Sequence, residues 1–227
     1  MTMTRAAIGT AVAVVGVMAM AIGTGAQRGA PADPLERLME GNRRYVSGNV
    51  ERPRQDRLTR EAVAKGQKPF AMLVSCADSR VPPEVLFDQG LGDLFVVRTA
   101  GNLADTVALG SLEYGHAVLG ANLVVVLGHE YCGAVDAAVK GHAVPGHIAE
   151  VVRQIRPAAE KSKGEVDMLN AAIDHNVRDV AAGLRTRSEI LRTAVDSGTL
   201  RIVGARYDLD SGAVTLVPAT GERSTQN

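Results

Sequence analysis

The sequence contains no tryptophan, and aromatic residues make up only 3% of its 227 residues. A core built mainly from aromatic side chains is therefore excluded, and alanine, valine, leucine and isoleucine must fill the interior. Basic and acidic residues balance at 25 each, so the chain has no net positive charge to attract nucleic acid or anionic lipid. Its length fits one domain of about 200 residues with a substantial core.

The N-terminal segment has the composition of an export signal. Arg5 is followed by an uncharged run over residues 6–26 that is rich in alanine, valine, methionine and glycine, and Thr24 and Ala26 suit the −3 and −1 positions of a cleavage site. We therefore predict a signal peptide over residues 1–26, a single domain over 27–227, and a periplasmic or extracellular location. The alternative is an uncleaved membrane anchor, because about 20 apolar residues can span a bilayer.

Strand-like and helix-like segments alternate along the rest of the chain. Apolar runs predict strands over 70–75, 93–98 and 123–127, and a strand, turn and strand over 200–217. Helical spacing predicts helices over 33–47, 59–65, 106–119, 133–140, 148–161 and 166–194. In the helix 106–119, Val107, Leu112 and Val118 are expected to face inward. The pattern predicts an α/β fold: a central, mainly parallel β-sheet flanked by helices, with an N-terminal helical arm and a C-terminal strand pair.

Two polar clusters follow two of these strands and contain both cysteines. Cys76 ends the first strand, and the sequence His129-Glu-Tyr-Cys132 ends a later one. Ligands of parallel sheets collect beyond the carboxyl ends of the strands, so these side chains are expected to converge. Two thiolates and one imidazole suit Zn²⁺, and three protein ligands leave a fourth position for water or substrate. The pattern therefore favours a catalytic zinc site over a structural one.

The alternative for the cysteines is a disulfide, since the chain is predicted to be exported. That alternative would leave His129, Asp78 and Arg80 without a role. Asp78 is placed to orient a zinc-bound hydroxide, and Arg80 could hold Asp78 by a bidentate ion pair and keep it off the metal. Considered without the neighbouring cysteine, the two charged residues would be read as a structural ion pair at a strand end.

The sequence blocks around these clusters resemble those of the β-class carbonic anhydrases. The resemblance runs from about residue 33 to 217 and rests on four blocks in order, residues 76–80, 87–98, 100–102 and 128–135. It implies one Zn²⁺ per chain held by Cys76, His129 and Cys132, with the Asp78–Arg80 pair beside it. It also implies reversible hydration of CO₂ to bicarbonate and a proton by attack of zinc hydroxide.

The resemblance also implies a substrate pocket and an assembly of identical subunits, a dimer or a tetramer. Gln67 matches a glutamine that reaches the substrate from the neighbouring subunit. Phe95 and Tyr114 match apolar walls of the CO₂ pocket, and Gly133 matches a glycine whose backbone lies beside the substrate. Ala100 replaces a valine or isoleucine found in many members, so the pocket is expected to be roomier. Without the resemblance, Phe95 and Tyr114 would pass as core residues and Gln67 as a surface residue.

Two alternatives to CO₂ hydration remain at this level. The same scaffold serves hydrolases of carbonyl sulfide or carbon disulfide, which share the ligands and the dyad. A non-enzymatic zinc protein would need Asp78 to occupy the fourth position permanently, and Arg80 opposes that by competing for Asp78. Leu73 stands in place of the tryptophan that helps form an inhibitory bicarbonate site in one subgroup, so Asp78 is expected to stay off the metal.

Overall fold

The computed structural model describes residues 33–219, and one five-stranded sheet organises them. The strands are β1 (Ala71–Cys76), β2 (Leu94–Thr99), β3 (Leu123–His129), β4 (Arg201–Tyr207) and β5 (Val214–Val217). They lie in the order β2-β1-β3-β4-β5, with every pair parallel except β4 and β5. This arrangement confirms the predicted α/β class. The predicted signal segment, residues 1–26, lies outside the described residues.

Eight α-helices accompany the sheet within residues 33–219. They are α1 (Pro34–Val46), α2 (Arg57–Val63), α3 (Pro83–Leu86), α4 (Thr106–Ala117), α5 (Gly133–Lys140), α6 (Ile148–Lys161), α7 (Met168–Arg187) and α8 (Glu189–Asp196), with a short 3₁₀ turn at Ala100–Asn102. Asp33 caps α1, because its carboxylate accepts hydrogen bonds from the amides of Leu35 and Glu36. In the described part of the chain, no helix combines the length and the apolar character needed to cross a bilayer.

The helix predicted over 166–194 is in fact two helices. Ser188 separates α7 from α8 with an extended backbone, φ −117° and ψ 120°. Its hydroxyl oxygen accepts the amide hydrogen of Leu191 at 3.1 Å, while the hydroxyl lies 2.6 Å from a carboxylate oxygen of Glu113. A buried serine that caps a helix in this way begins a new helix rather than continuing the old one. The periodicity alone could not show the break because both helices have apolar faces.

The core lies on both faces of the sheet, because successive side chains of a strand point to opposite sides. Every residue of β3 is buried. Met72, Val74 and Val124 pack on one face against α4, α7 and α8, while Leu73 and Val125 pack on the other with α1 and the chain around α3. Aliphatic side chains therefore dominate the interior, as the composition indicated.

The inward face of helix α4 was predicted correctly at Leu112, which is fully buried, and wrongly at Val107 and Val118. Its buried residues are Ala108, Leu109, Leu112 and Gly115. Val107 and Val118 were expected to face inward but are 79% and 64% exposed in the single chain. At 3.6 residues per turn these two valines share the outer side of the helix.

Helix α7 lies close to the sheet over two glycines. A Cβ at Gly128 would lie 2.6 Å from Val177 Cγ2, and one at Gly204 would lie 2.7 Å from Val177 Cγ1. Both distances are shorter than real Cβ contacts allow, so only glycine at both positions lets α7 pack this close to the sheet. The middle of α7 is thereby brought near the carboxyl ends of the strands.

Candidate metal centre

Two neighbouring strands and the start of a helix bring three soft ligands together. Cys76 is the last residue of β1 and His129 the last of β3, and these strands are adjacent and parallel. Cys132 caps α5 after a tight turn in which Tyr131 has a φ of 52°. The two sulfurs and a ring nitrogen of His129 all lie within 4.8 Å of one another, and all three residues are buried. The convergence expected from the sequence is therefore observed.

The imidazole of His129 presents one nitrogen to this cluster. Its Nδ1 lies 2.7 Å from the backbone oxygen of Glu130, so Nδ1 carries the hydrogen and Nε2 carries the lone pair. Nε2 is fully buried and has no hydrogen-bond partner among the described residues. A buried polar atom without a partner is costly, and metal coordination would satisfy it.

The two thiols are electrostatically coupled. A hydrogen bond from Cys132 lowers the pKa of Cys76, with help from His129 and from the backbone amides of Asp78 and Gly101, despite burial. The neighbouring Cys76 sulfur and burial raise the pKa of Cys132 in turn. A divalent cation held by both sulfurs would displace their protons, because a coordinating thiol is deprotonated.

These residues fit Zn²⁺. Two thiolates and a neutral imidazole form a typical zinc donor set, and a tetrahedral ion would keep a fourth position outside the protein ligands. A second group of acidic side chains, Glu130, Asp208 and Asp210, also lies together near the carboxyl end of β4. Because clustered surface carboxylates are common without any metal, we assign that group no role.

Asp78 borders the three ligands in a fixed orientation. Its Oδ1 accepts the Arg80 amide hydrogen at 3.0 Å and Nε at 2.9 Å, and its Oδ2 accepts Nη2 at 2.8 Å. The Arg80 guanidinium holds the pKa of Asp78 well below its usual range. Oδ2 lies 3.9 Å from His129 Nε2. The bidentate pair considered from the sequence is present, and it engages both carboxylate oxygens of Asp78.

Three further residues support the site, and none of them was predicted to do so from the sequence. Arg98 donates to the backbone oxygens of Cys76 at 3.0 Å and Asp78 at 2.6 Å. The Gly101 amide points to the Cys76 sulfur, and Asn176 of α7 donates to the Gly101 oxygen at 2.9 Å. Arg98 and Gly101 lie within the blocks that carried the resemblance. Asn176 is an asparagine in the interior of a predicted helix, and this unusual position is the one sequence signal that could have indicated its role.

Gly101 has no substitute at its position. Its φ is +69°, which favours glycine, and a Cβ there would lie 2.6 Å from Ile155 Cδ1. The short turn that starts at Ala100 therefore depends on this glycine to bring an amide hydrogen to Cys76.

Ala100 and Gly133 lie beside the cluster. Ala100 directly follows Thr99, which pairs with Cys76 across the sheet. Gly133 is the first residue of α5 after Cys132, and a Cβ there would meet nothing within 4 Å. Gly133 therefore leaves room beside Cys132, and Ala100 is exposed next to the end of β2.

Gln67, Phe95 and Tyr114 lie away from the cluster of their own chain. Phe95 pairs with Met72, four residues before Cys76 and thus about 13 Å along the strand. The rings of Phe95 and Tyr114 are 6.3 Å apart. Gln67 is exposed and precedes β1, at the opposite end from Cys76. Within one subunit these three side chains do not line the site.

Comparisons with known proteins agree with this architecture. A family model described as carbonic anhydrase matches residues 71–214. Carbonic anhydrase 2 of Mycobacterium tuberculosis is 41% identical over 191 residues, covering 82% of this chain and 92% of that protein. The carbonic anhydrase of Mycolicibacterium smegmatis is 38% identical over 200 residues, covering 85% and 96%.

Solved structures resemble the chain as well. A Coccomyxa β-carbonic anhydrase in complex with acetazolamide superposes with a TM-score of 0.65 at 28% identity, covering 82% of this chain and 87% of that one. A β-carbonic anhydrase from Sordaria macrospora, described as tetrameric, gives a TM-score of 0.65 at 22% identity, covering 70% and 85%. From its matching family model, its relatives and its fold, the chain belongs to the carbonic anhydrase family and is a β-class carbonic anhydrase.

Proposed function

We propose that the chain catalyses the reversible hydration of CO₂ to bicarbonate and a proton with one Zn²⁺ held by Cys76, His129 and Cys132. The observation that carries this proposal is the buried triad of donors in which His129 Nε2 has no other partner. When bound, zinc would supply an acidified water as the nucleophile for CO₂. The rest of the chemistry belongs to the side chains around it.

Asp78 acts in this proposal as a fixed hydrogen-bond acceptor. Because Arg80 lowers its pKa, its carboxylate stays ionised at neutral pH and can only accept hydrogen bonds. Oδ2 would accept the O–H of the reacting water and so aim its oxygen lone pair at carbon. Arg80 donates to both carboxylate oxygens and opposes rotation of Asp78 toward the ligands. Ala100 and Gly133 leave the space that CO₂ needs beside the site.

We propose that a second subunit completes the pocket with its own Gln67, Phe95 and Tyr114. These residues lie far from the ligands of their own chain but near an unpaired edge. Strand β2 has no partner on its outer side within residues 33–219, and α4 beside it exposes Val107, Tyr114 and Val118. An apolar helix face next to an open strand edge is typical of an interface. A dimer, alone or within a tetramer, would cover it.

We also propose that the mature enzyme works outside the cytoplasm. Support comes only from the uncharged run over residues 6–26 and the small residues before residue 27. The N-terminal sequence of the protein purified from its host, read by mass spectrometry, tests cleavage: a chain beginning near residue 27 is expected, and an intact Met1 would contradict it.

The decisive experiment combines zinc content with stopped-flow CO₂ hydration. Zinc-loaded protein is expected to hydrate CO₂. Cys132→Ser should lose most of its zinc and its activity, because one of three ligands is weakened. Asp78→Asn is the matched control: it should keep zinc while the rate falls by about tenfold or more, since Asn cannot present the same pair of acceptors.

Three outcomes would contradict the proposal. Full zinc retention in Cys132→Ser would refute the ligand assignment. An unchanged rate in Asp78→Asn would remove Asp78 from the mechanism. Turnover of carbon disulfide by zinc-loaded protein that fails to hydrate CO₂ would identify a different hydrolase on this scaffold.

A further inference from the structure

A large groove opens on the sheet far from the metal centre. It has a volume of about 930 Å³ and lies between α7 and α8 on one side and β4 and β5 on the other. Its walls are mainly apolar, with Ala181 and Ala182 from α7, Val195 from α8, Ile202 from β4 and Val217 from β5. A volume of this order and an apolar lining are typical of small-molecule sites.

The groove is separate from the catalytic site. Along β4, Tyr207 pairs with His129, whereas Arg201 pairs with Leu123 at the opposite end of the strand. The groove is lined by the Arg201 end of β4. The lining residue of β4 nearest to the metal centre is Gly204, three residues or about 10 Å of strand before Tyr207, which pairs with His129.

The charged side chains that line the groove all have the same sign. Among the described residues, the lining includes no aspartate or glutamate and four arginines: Arg178, Arg185, Arg192 and Arg201. A protein as electrically balanced as this one has no general excess of cations to explain the set. The groove therefore has arginines around an apolar floor, and two of the four, Arg185 and Arg201, are paired with aspartates just outside the lining.

One of these arginines has no partner of its own. Arg185 pairs with Asp196 and Arg201 with Asp33, while Arg178 donates to a backbone oxygen. The guanidinium of Arg192 makes no ion pair or hydrogen bond with any residue in the range 33–219. It is thus the guanidinium most available to a ligand.

We propose that this groove binds a fatty carboxylate. The carboxylate head pairs with Arg192, since a guanidinium fork matches a carboxylate bidentately, and the acyl chain lies along the apolar walls and loses contact with water. A neutral or cationic ligand would leave Arg192 without a counter-charge. The inference depends on the lining of the groove and does not rest on the proposed CO₂ chemistry.

Isothermal titration of the zinc-loaded full chain with decanoate, below its micelle concentration, tests this site. One saturable site per chain is expected. Arg192→Glu should weaken binding by about tenfold or more, because attraction becomes repulsion. Arg156→Glu is the matched control, since Arg156 is also an exposed helical arginine without an ion pair in the described residues, and it should bind as the parent does.

A second variant tests the groove by filling it, without changing any charge. Ala182 is exposed on α7, so Ala182→Trp is expected to fold, fill the groove and abolish decanoate binding while CO₂ hydration persists. The proposal is wrong if decanol binds as tightly as decanoate, if Arg156→Glu loses as much affinity as Arg192→Glu, or if no saturable binding occurs. It is also wrong if Ala182→Trp merely changes the number of subunits seen by light scattering, because the groove would then be an interface between copies.

Discussion

At the scale of single residues, the metal centre depends on groups that never touch the metal position. The backbone oxygen of Glu130 selects the tautomer of His129, and Arg98 holds the two carbonyl groups on either side of Ala77. Asn176 holds Gly101, whose amide faces the Cys76 sulfur. Outer partners of this kind orient ligands and tune their affinity for metal.

Asn176→Ala is therefore expected to weaken zinc binding as well as the fold. The change removes the hydrogen bond to the Gly101 oxygen and leaves the amide of Gly101 free to turn away from Cys76. We expect a loss of about 1–3 kcal/mol in the free energy of unfolding and a zinc affinity reduced about 10- to 100-fold. Chelator competition and urea unfolding measure the two effects.

Asn42→Ala is the matched control for Asn176. Asn42 is also a buried asparagine, and it donates to Leu86 and Gly212 and accepts from Val214, away from the ligands. It should lose similar stability and keep its zinc affinity. If both variants bind zinc equally well, Asn176 is only a structural residue.

At the scale of elements, a buried carboxylate connects the N-terminal arm, α1 and the chain as far as Arg52, to the residues that follow α3. Asp88 is 3% exposed, yet it accepts hydrogen bonds from the amides of Glu51 and Arg52 and from Nε of Arg44 on α1. Burial by itself raises the pKa of Asp88, but these donors outweigh burial and lower it below the usual value. The ionised form of Asp88 thus holds the arm in place.

This pairing predicts a specific dependence of stability on pH. Because the folded-state pKa of Asp88 is lowered, its contribution is complete above the unfolded-state pKa near ~3.9 and is lost as pH falls through the folded-state pKa. Asp88→Asn should reduce the free energy of unfolding by about 1.5–3 kcal/mol at pH 7 and flatten the loss below pH ~4. Asp210→Asn, at an exposed position, should change neither the free energy of unfolding at pH 7 nor its dependence on pH. Parallel pH profiles for Asp88→Asn and the parent would contradict the assignment.

The elements themselves were largely predictable from the sequence. Strands β1 to β3 are runs of aliphatic residues bounded by polar ones, and they begin and end within two residues of their predicted bounds. The break at Ser188 was not predictable, because the hydroxyl that caps α8 is also held by Glu113, a residue 75 positions earlier that comes near it only in the folded chain. The convergence of Cys76, His129 and Cys132 was predictable because strand ends meet in a parallel sheet. Asn176 was missed because its partner, Gly101, is adjacent only after α7 packs on the sheet.

At the scale of the whole molecule, the site is proposed to be shared between subunits. Gln67 was expected to reach the pocket from the neighbouring subunit, and its position before β1, far from Cys76 of its own chain, is compatible with that. Phe95 and Tyr114 were expected at the pocket without any assignment to a subunit, and they lie on β2 and α4, away from the cluster of their own chain. The exposed side of α4 is the surface through which a second copy would bring them in.

Val118→Glu is expected to separate the subunits and lower the rate of CO₂ hydration without lowering zinc content. A carboxylate at a buried interface is strongly disfavoured, whereas the zinc ligands all come from one chain. Val166→Glu is the matched control, because Val166 is fully exposed in the loop before α7. Sedimentation velocity measures the number of subunits, zinc analysis the metal content, and stopped-flow mixing the rate of CO₂ hydration. A monomeric variant with full activity would show that one chain suffices.

The burial of the three donors has a consequence for metal selection. Cys76, His129 and Cys132 are 5%, 0% and 1% exposed, so the protein covers an ion held between them on three sides and leaves only the fourth position for exchange. Exchange should therefore be slow compared with turnover, and the ion captured while the chain folds is the one it keeps. The affinity of a protein site for different divalent metal ions follows one general order, whichever ion the enzyme needs for activity. The supply of metals where folding takes place would thus decide which ion the enzyme carries.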